Sequence, residues 1–179
     1  LHTTRPWRVI PATASSVSVG GGVDGAFSVS VESESAGEIH AVRISPDGTR
    51  ALVLRGSDAS AWVGVVERDA SGRPLAIRSL EQIPLEHGSV VDASWTTSTG
   101  FVIVVRTTGV DDQLATLPLG GLPSNVSLPI RVTSMSAGGS SSVVVISGTD
   151  AAGKAQVLIR SGALWQNAPE SLTSARYAG

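Results

Sequence analysis

Gly148-Thr149-Asp150-Ala151-Ala152-Gly153-Lys154 has the glycine and lysine spacing of a phosphate-binding loop. Such a loop also needs a Ser or Thr after the lysine to hold magnesium, and a helix whose amino end faces the phosphates. Here Ala155 follows, and residues 156–160 carry a strand pattern. Asp69-Ala70-Ser71-Gly72-Arg73 is nearly the same phrase between two other apolar runs, so both read as Asp-x-x-Gly hairpin turns. The histidines are His2, His40 and His87, and no two stand at the spacing that turns two imidazoles onto one metal. His40 lies between Ile39 and Ala41, which points it to one face of a strand in a structural role; His87 sits beside Glu86 as a solvated pair. No Gly-x-Ser-x-Gly elbow is present. Each of the many serines pairs on paper with a histidine and Asp92 or Asp58, a coincidence that composition alone makes frequent.

Asp111-Asp112 and Glu32-x-Glu34 are short acidic pairs. Paired carboxylates serve glycoside hydrolysis or calcium, but neither pair has the spacing of a calcium loop, and surface solvation is expected. Of the tryptophans, Trp95 at a strand end is expected to pack between sheets, Trp62 and Trp165 to pack or to anchor a partner at a rim, and Trp7 belongs to a short edge run. Asn125-Val126-Ser127 is a formal glycosylation sequon, to which no role is assigned. No catalytic, metal-binding or cofactor-binding residue is assigned, and no cofactor is expected.

The elements that would position these residues are short strands. With 13 basic and 15 acidic side chains the net charge is −2, which supplies no surplus for nucleic acid or for a polybasic membrane anchor. The apolar residues are mostly Val, Ala, Leu and Ile, and Gly, Ser and Thr abound, a mixture that fits strands joined by many turns rather than a helical bundle. Cysteine is absent, so disulfides, cysteine nucleophiles and Cys-based zinc sites are excluded for this chain. No apolar run approaches the ~20 residues of a membrane helix. The chain starts at Leu1 and shows no signal peptide, which leads us to expect that it is the later part of a longer protein.

The clearest element is the hairpin of residues 39–54: two apolar runs flank Ser45-Pro46-Asp47-Gly48, where Pro46 pre-sets φ, Asp47 bonds its own backbone and Gly48 takes the left-handed position. Residues 39–86 read as one four-strand unit, 88–129 as a second and 130–179 as a third with a polar tail. Residues 1–38 read as a degenerate blade or edge strands, with a half-buried strand at 26–31 where Phe27, Val29 and Val31 alternate with serines. In the second strands Ala51, Phe101 and Val143 correspond, at spacings of 50 and 42 residues. Four short strands per repeat of ~40–50 residues mark propeller blades, each of which buries its apolar faces only by stacking on neighbours. The expected fold is therefore all-β, a partial or small β-propeller of about three to four four-stranded antiparallel blades over residues 1–179, with a β-sandwich as the alternative.

Ile44-Ser45-Pro46-Asp47-Gly48-Thr49-Arg50-Ala51-Leu52-Val53 is common to many propellers, including the TolB type. Trp62-Val63-Gly64-Val65-Val66-Glu67-Arg68, then Gly72-Arg73-Pro74-Leu75, Val90-Val91-Asp92-Ala93-Ser94-Trp95 and the closing Arg176-Tyr177-Ala178-Gly179 resemble the carboxy-terminal propeller of the actinobacterial LpqB lipoprotein family. The resemblance implies an exported protein, lipid-anchored on the outer face of the cytoplasmic membrane, with a GerMN-type domain ahead of the propeller. It also implies a protein partner, the extracellular domain of an MtrB-type sensor histidine kinase of a two-component system governing envelope and division. It carries over no catalytic motif.

A non-catalytic interaction module is thus the first expectation, with the loops at residues 56–60, 107–112 and 120–125 as the places to look. Its rivals are a propeller hydrolase or lyase, which needs His40, Asp92 and a serine in one concavity, and a small-molecule-binding propeller. A cut fan of blades leaves a bare edge, so either an amino-terminal strand completes the last blade or two copies pair edge to edge as a homodimer.

Overall fold

The computed structural model describes residues 8–10, 16–20, 26–31, 38–55, 60–85, 88–138, 143–161 and 164–168. The chain divides into two compact units, residues 1–84 and 85–177. The first unit opens with an antiparallel meander, β1 (Arg8–Ile10), β2 (Ser16–Gly20) and β3 (Ala26–Val31). Then β4 (Ile39–Ile44), β5 (Arg50–Arg55), β6 (Ser60–Arg68) and β7 (Pro74–Gln82) each run antiparallel to the one before. The two groups share one sheet of order β1-β2-β3-β7-β6-β5-β4. The joint is parallel: Ser30 lies opposite Ala76 and Val31 opposite Ile77. The amino-terminal strands therefore extend the outer edge of the first four-stranded sheet; the expected completion of the last sheet by such a strand is not found among the described residues.

Alternation decides which residues are inward. Val42, Ala51, Val53, Val66 and Ile77 form a buried cluster with Val31, and Trp62 and Leu80 pack against it. The central strand β5 is buried from Ala51 to Arg55, which is why it reads as a continuous apolar run instead of an alternating one. Gly64 stands at a bulge between β6 and β7, where a Cβ would lie 2.7 Å from Ile77 Cγ2 and 2.8 Å from Leu80 Cδ2; only glycine leaves those side chains their places. The bulge is matched on β7 by Ser79, held at φ 52°.

The second unit holds two four-stranded antiparallel sheets. One contains β8 (Ser89–Thr97), β9 (Gly100–Arg106), β10 (Gln113–Pro118) and β11 (Ser124–Ser127); the other β12 (Arg131–Ala137), β13 (Val144–Thr149), β14 (Ala155–Ser161) and β15 (Leu164–Asn167). They share one core: Val102, Val104 and Leu114 of the first sheet cluster with Val132, Met135 and Ile146 of the second. Trp95 is buried and meets Phe101 edge to face, centroids 5.3 Å apart at 72°.

The first strand of every four-stranded sheet carries a bulge at the same place. The register slips between Ile39 and Ala41, between Val90 and Asp92, and between Val132 and Ser134. Each slip leaves one extra residue, His40, Val91 or Thr133, and sharpens the local twist. The hairpin ends repeat as well. Asp69 Oδ1 accepts the N–H groups of Ser71 (2.8 Å) and Arg73 (3.0 Å), and Asp150 Oδ1 those of Ala152 and Lys154 (2.9 Å each). Gly72 and Gly153 close these turns at φ 82° and 79°. Nothing lies within 4 Å of a Cβ built on Gly72, so Gly72→Ala isolates the backbone strain. It is expected to lower stability by about 1 kcal/mol, read from the shift in the urea midpoint.

Candidate interaction surface

Among the described residues, the best-connected polar groups lie where the two sheets of the second unit meet. Asp112 ends the loop between β9 and β10 and is 5% exposed. Its carboxylate takes a two-pronged contact from Arg106, Nε to Oδ1 at 2.9 Å and Nη2 to Oδ2 at 2.7 Å. Oδ2 also accepts the backbone N–H of Val132 at 2.7 Å, while Arg106 Nη2 donates to the Val132 carbonyl at 2.7 Å. The pair thus engages both backbone groups of one residue on β12. Further along, Asp92 Oδ2 accepts the Met135 N–H at 2.9 Å and Ser94 Oγ accepts that of Ala137 at 3.1 Å. Side chains of one sheet fix the first strand of the next in register by reading its main chain.

The bulge at Val91 sits immediately before Asp92 on β8. At the equivalent positions the first sheet has Ala41 and Arg43 and the last has Ser134 and Ser136, so the carboxylate clip belongs to the middle sheet.

Burial pushes the Asp112 carboxyl up. The Arg106 side chain, the Val132 N–H and the charges of Arg106 and Arg131 outweigh it and hold the group below the usual carboxylate range. A carboxyl with a depressed folded-state pKa contributes stability in full above its unfolded value, about 3.9, and loses it as pH falls through the folded value. The stability difference between wild type and Asp112→Asn is therefore expected to be constant from pH 7 to about 5 and to shrink progressively below about 4, measured by urea unfolding at each pH.

The sequence candidates separate. Asp111-Asp112 is not a solvated pair: Asp111 is exposed, but Asp112 is buried because Arg106 and Val132 need it. Asp92 has one oxygen on the Ala93 N–H and the other on Met135, which makes it a structural acceptor rather than the third member of a hydrolytic set. His40 is the exposed bulge residue of β4. Lys154 of the phosphate-loop phrase leads directly into strand β14, with no helix to face a phosphate. Trp62 is half-buried on the first core and its Nε1 donates to Ser60 Oγ at 2.9 Å, and Trp165 packs half-buried on the second core under Arg160. His2, His87, Asp58, Glu32, Glu34, Trp7 and most of the loop at 56–60 lie outside the described residues. Among the described residues, no group of three or more His, Asp or Glu is placed to hold a metal.

The exposed apolar groups collect differently. Leu122 is 89% exposed in the loop at 120–125, and the strand that follows, β11, is exposed at all four positions, including Val126. Val110 in the loop at 107–112 is exposed too. No charged residue occurs from Gln113 to Ile130. Both loops are among the expected places to look, and the second overlaps the first two residues of β11.

Four-stranded antiparallel sheets repeated in chain order, the two of the second unit joined side chain to backbone, define a partial β-propeller. The family model described as "Lipoprotein LpqB beta-propeller domain" matches residues 6–176, and the chain belongs to that family. No curated protein matches it.

Proposed function

We propose that this chain is the protein-binding propeller of an exported lipoprotein that engages the extracellular domain of a sensor histidine kinase and modulates it without catalysing a reaction. The observation that carries this reading is the match to the lipoprotein propeller family over residues 6–176. The chemistry of the described residues supports it, because the carboxylates in and beside the core are committed to the fold. Asp92 and Asp112 hold the backbone of β12, and Asp69 and Asp150 hold their own turns. The uncharged stretch around Leu122 and β11 faces solvent without such commitment, as do Leu75 and Leu164. The anchor and the export signal belong to the longer protein that this reading supposes.

The test is binding of the intact exported protein to the purified kinase extracellular domain, followed by biolayer interferometry. Saturable binding that accompanies a change in kinase autophosphorylation in proteoliposomes is expected. Absence of binding by the intact protein overturns the proposal.

A further inference from the structure

Strand β11 ends its sheet, paired on one side with β10 from Gln113 opposite Ser127 to Thr116 opposite Ser124. The Leu128 N–H donates to the Asp112 carbonyl at 2.8 Å, which fixes the phase of the ladder. In an antiparallel pair the bonded side alternates, so Ser124 and Val126, like Leu128, turn their main-chain groups toward β10. Asn125 and Ser127 turn their N–H and C=O outward, along an edge with no described strand beyond it. Edges are commonly guarded by charge; this one has none from Gln113 to Ile130, and only Pro123 and Pro129 bound it. Its entry carries the most exposed large apolar side chain among the described residues, Leu122. The chain itself shows an outer blade strand taking an added one, since β7 accepts β3 in parallel.

Resting on the reading above, we infer that the outer edge of β11 is the docking site, and that its occupant is an uncharged extended segment of the partner protein, added as a fifth strand through the main chain of Asn125 and Ser127 with an apolar side chain against Leu122. Complementarity of charge selects such a segment, because a charged side chain laid along this edge would lose water and meet no counter-charge. A second copy would add its strand through the same main-chain groups, and the experiment below separates it from the partner segment.

The experiment uses the intact exported protein and the kinase extracellular domain as probe. Amide hydrogen exchange is followed on the complex, and affinity is measured for Asn125→Pro, Ser127→Pro and Asn125→Ala. Each proline removes an outward N–H while sparing the bonds to β10, and is expected to weaken binding about tenfold; Asn125→Ala keeps the main chain and is expected to bind like wild type. Circular dichroism and urea midpoints establish that the variants are folded, and having two prolines keeps the test decisive if one is not. Protection of the Asn125 and Ser127 amides on binding supports the inference. Wild-type binding without that protection, or undiminished by either proline, overturns the edge and leaves the interaction-module reading standing. No wild-type binding at all overturns that reading instead. A dimer by light scattering with those amides already protected in the free protein overturns the partner segment in favour of a second copy.

Discussion

Asp112→Ala is expected to destabilise the second unit by about 3 kcal/mol, whereas Asp111→Ala next door is expected to change stability by less than about 0.5 kcal/mol. The difference follows from where the two carboxylates are. Asp111 is exposed, and Asp112 is 5% exposed with three donors on it, two from Arg106 and one from Val132. Truncation leaves a guanidinium with 29% side-chain exposure lacking its counter-charge and a buried N–H on β12 without its acceptor. Each of those losses costs more than the intact arrangement gains over two apolar residues of the same shape. Urea unfolding followed by tryptophan fluorescence checks the contrast; equal effects at positions 111 and 112 would refute the account of the junction.

Gly148→Val is expected to be worse, about 4 kcal/mol or more, and to reduce soluble yield. Gly148 lies opposite Val132 beside the bulge in β12. A Cβ there would run into the Arg131 carbonyl and lie 3.0 Å from Val132 Cα. Those are backbone atoms, with no flexible end to swing aside, and the displaced residue is the one whose N–H and C=O Asp112 and Arg106 hold. The clash is thus expected to break the junction as well as the hairpin. Thermal unfolding of Gly148→Ala and Gly148→Val gives the measurement: both are expected below wild type, with the valine variant lower.

The sheets could be read from the sequence because their cause is local. Ser45-Pro46-Asp47-Gly48 and Asp69-Ala70-Ser71-Gly72 are turns through their own side chains, as the bonds to Asp47 and Asp69 show, and the apolar runs between turns leave strands few alternatives. Gly148 to Lys154, followed by Ala155 and a strand pattern, likewise reads as an Asp-x-x-Gly turn, and the bonds to Asp150 make that turn. The site-level facts were not local. Nothing in Asp-Asp says which of the two is buried; that is decided by Val132, twenty residues on, arriving beside Arg106. The bulges at His40, Val91 and Thr133 have no shared residue type to announce them. The parity of β11, on which the open edge depends, rests on one backbone bond from Leu128 to Asp112.

The parallel joint between β3 and β7 has a consequence for the order of events during biosynthesis. Ile77, the partner of Val31, is polymerised 46 residues after it. Within the first unit, β1 to β3 are thus made before the edge that receives them, which is absent until the hairpin of β6 and β7 has closed. Until then β3 waits for its partner in this unit, and whatever machinery handles the nascent chain meets it in that unseated condition.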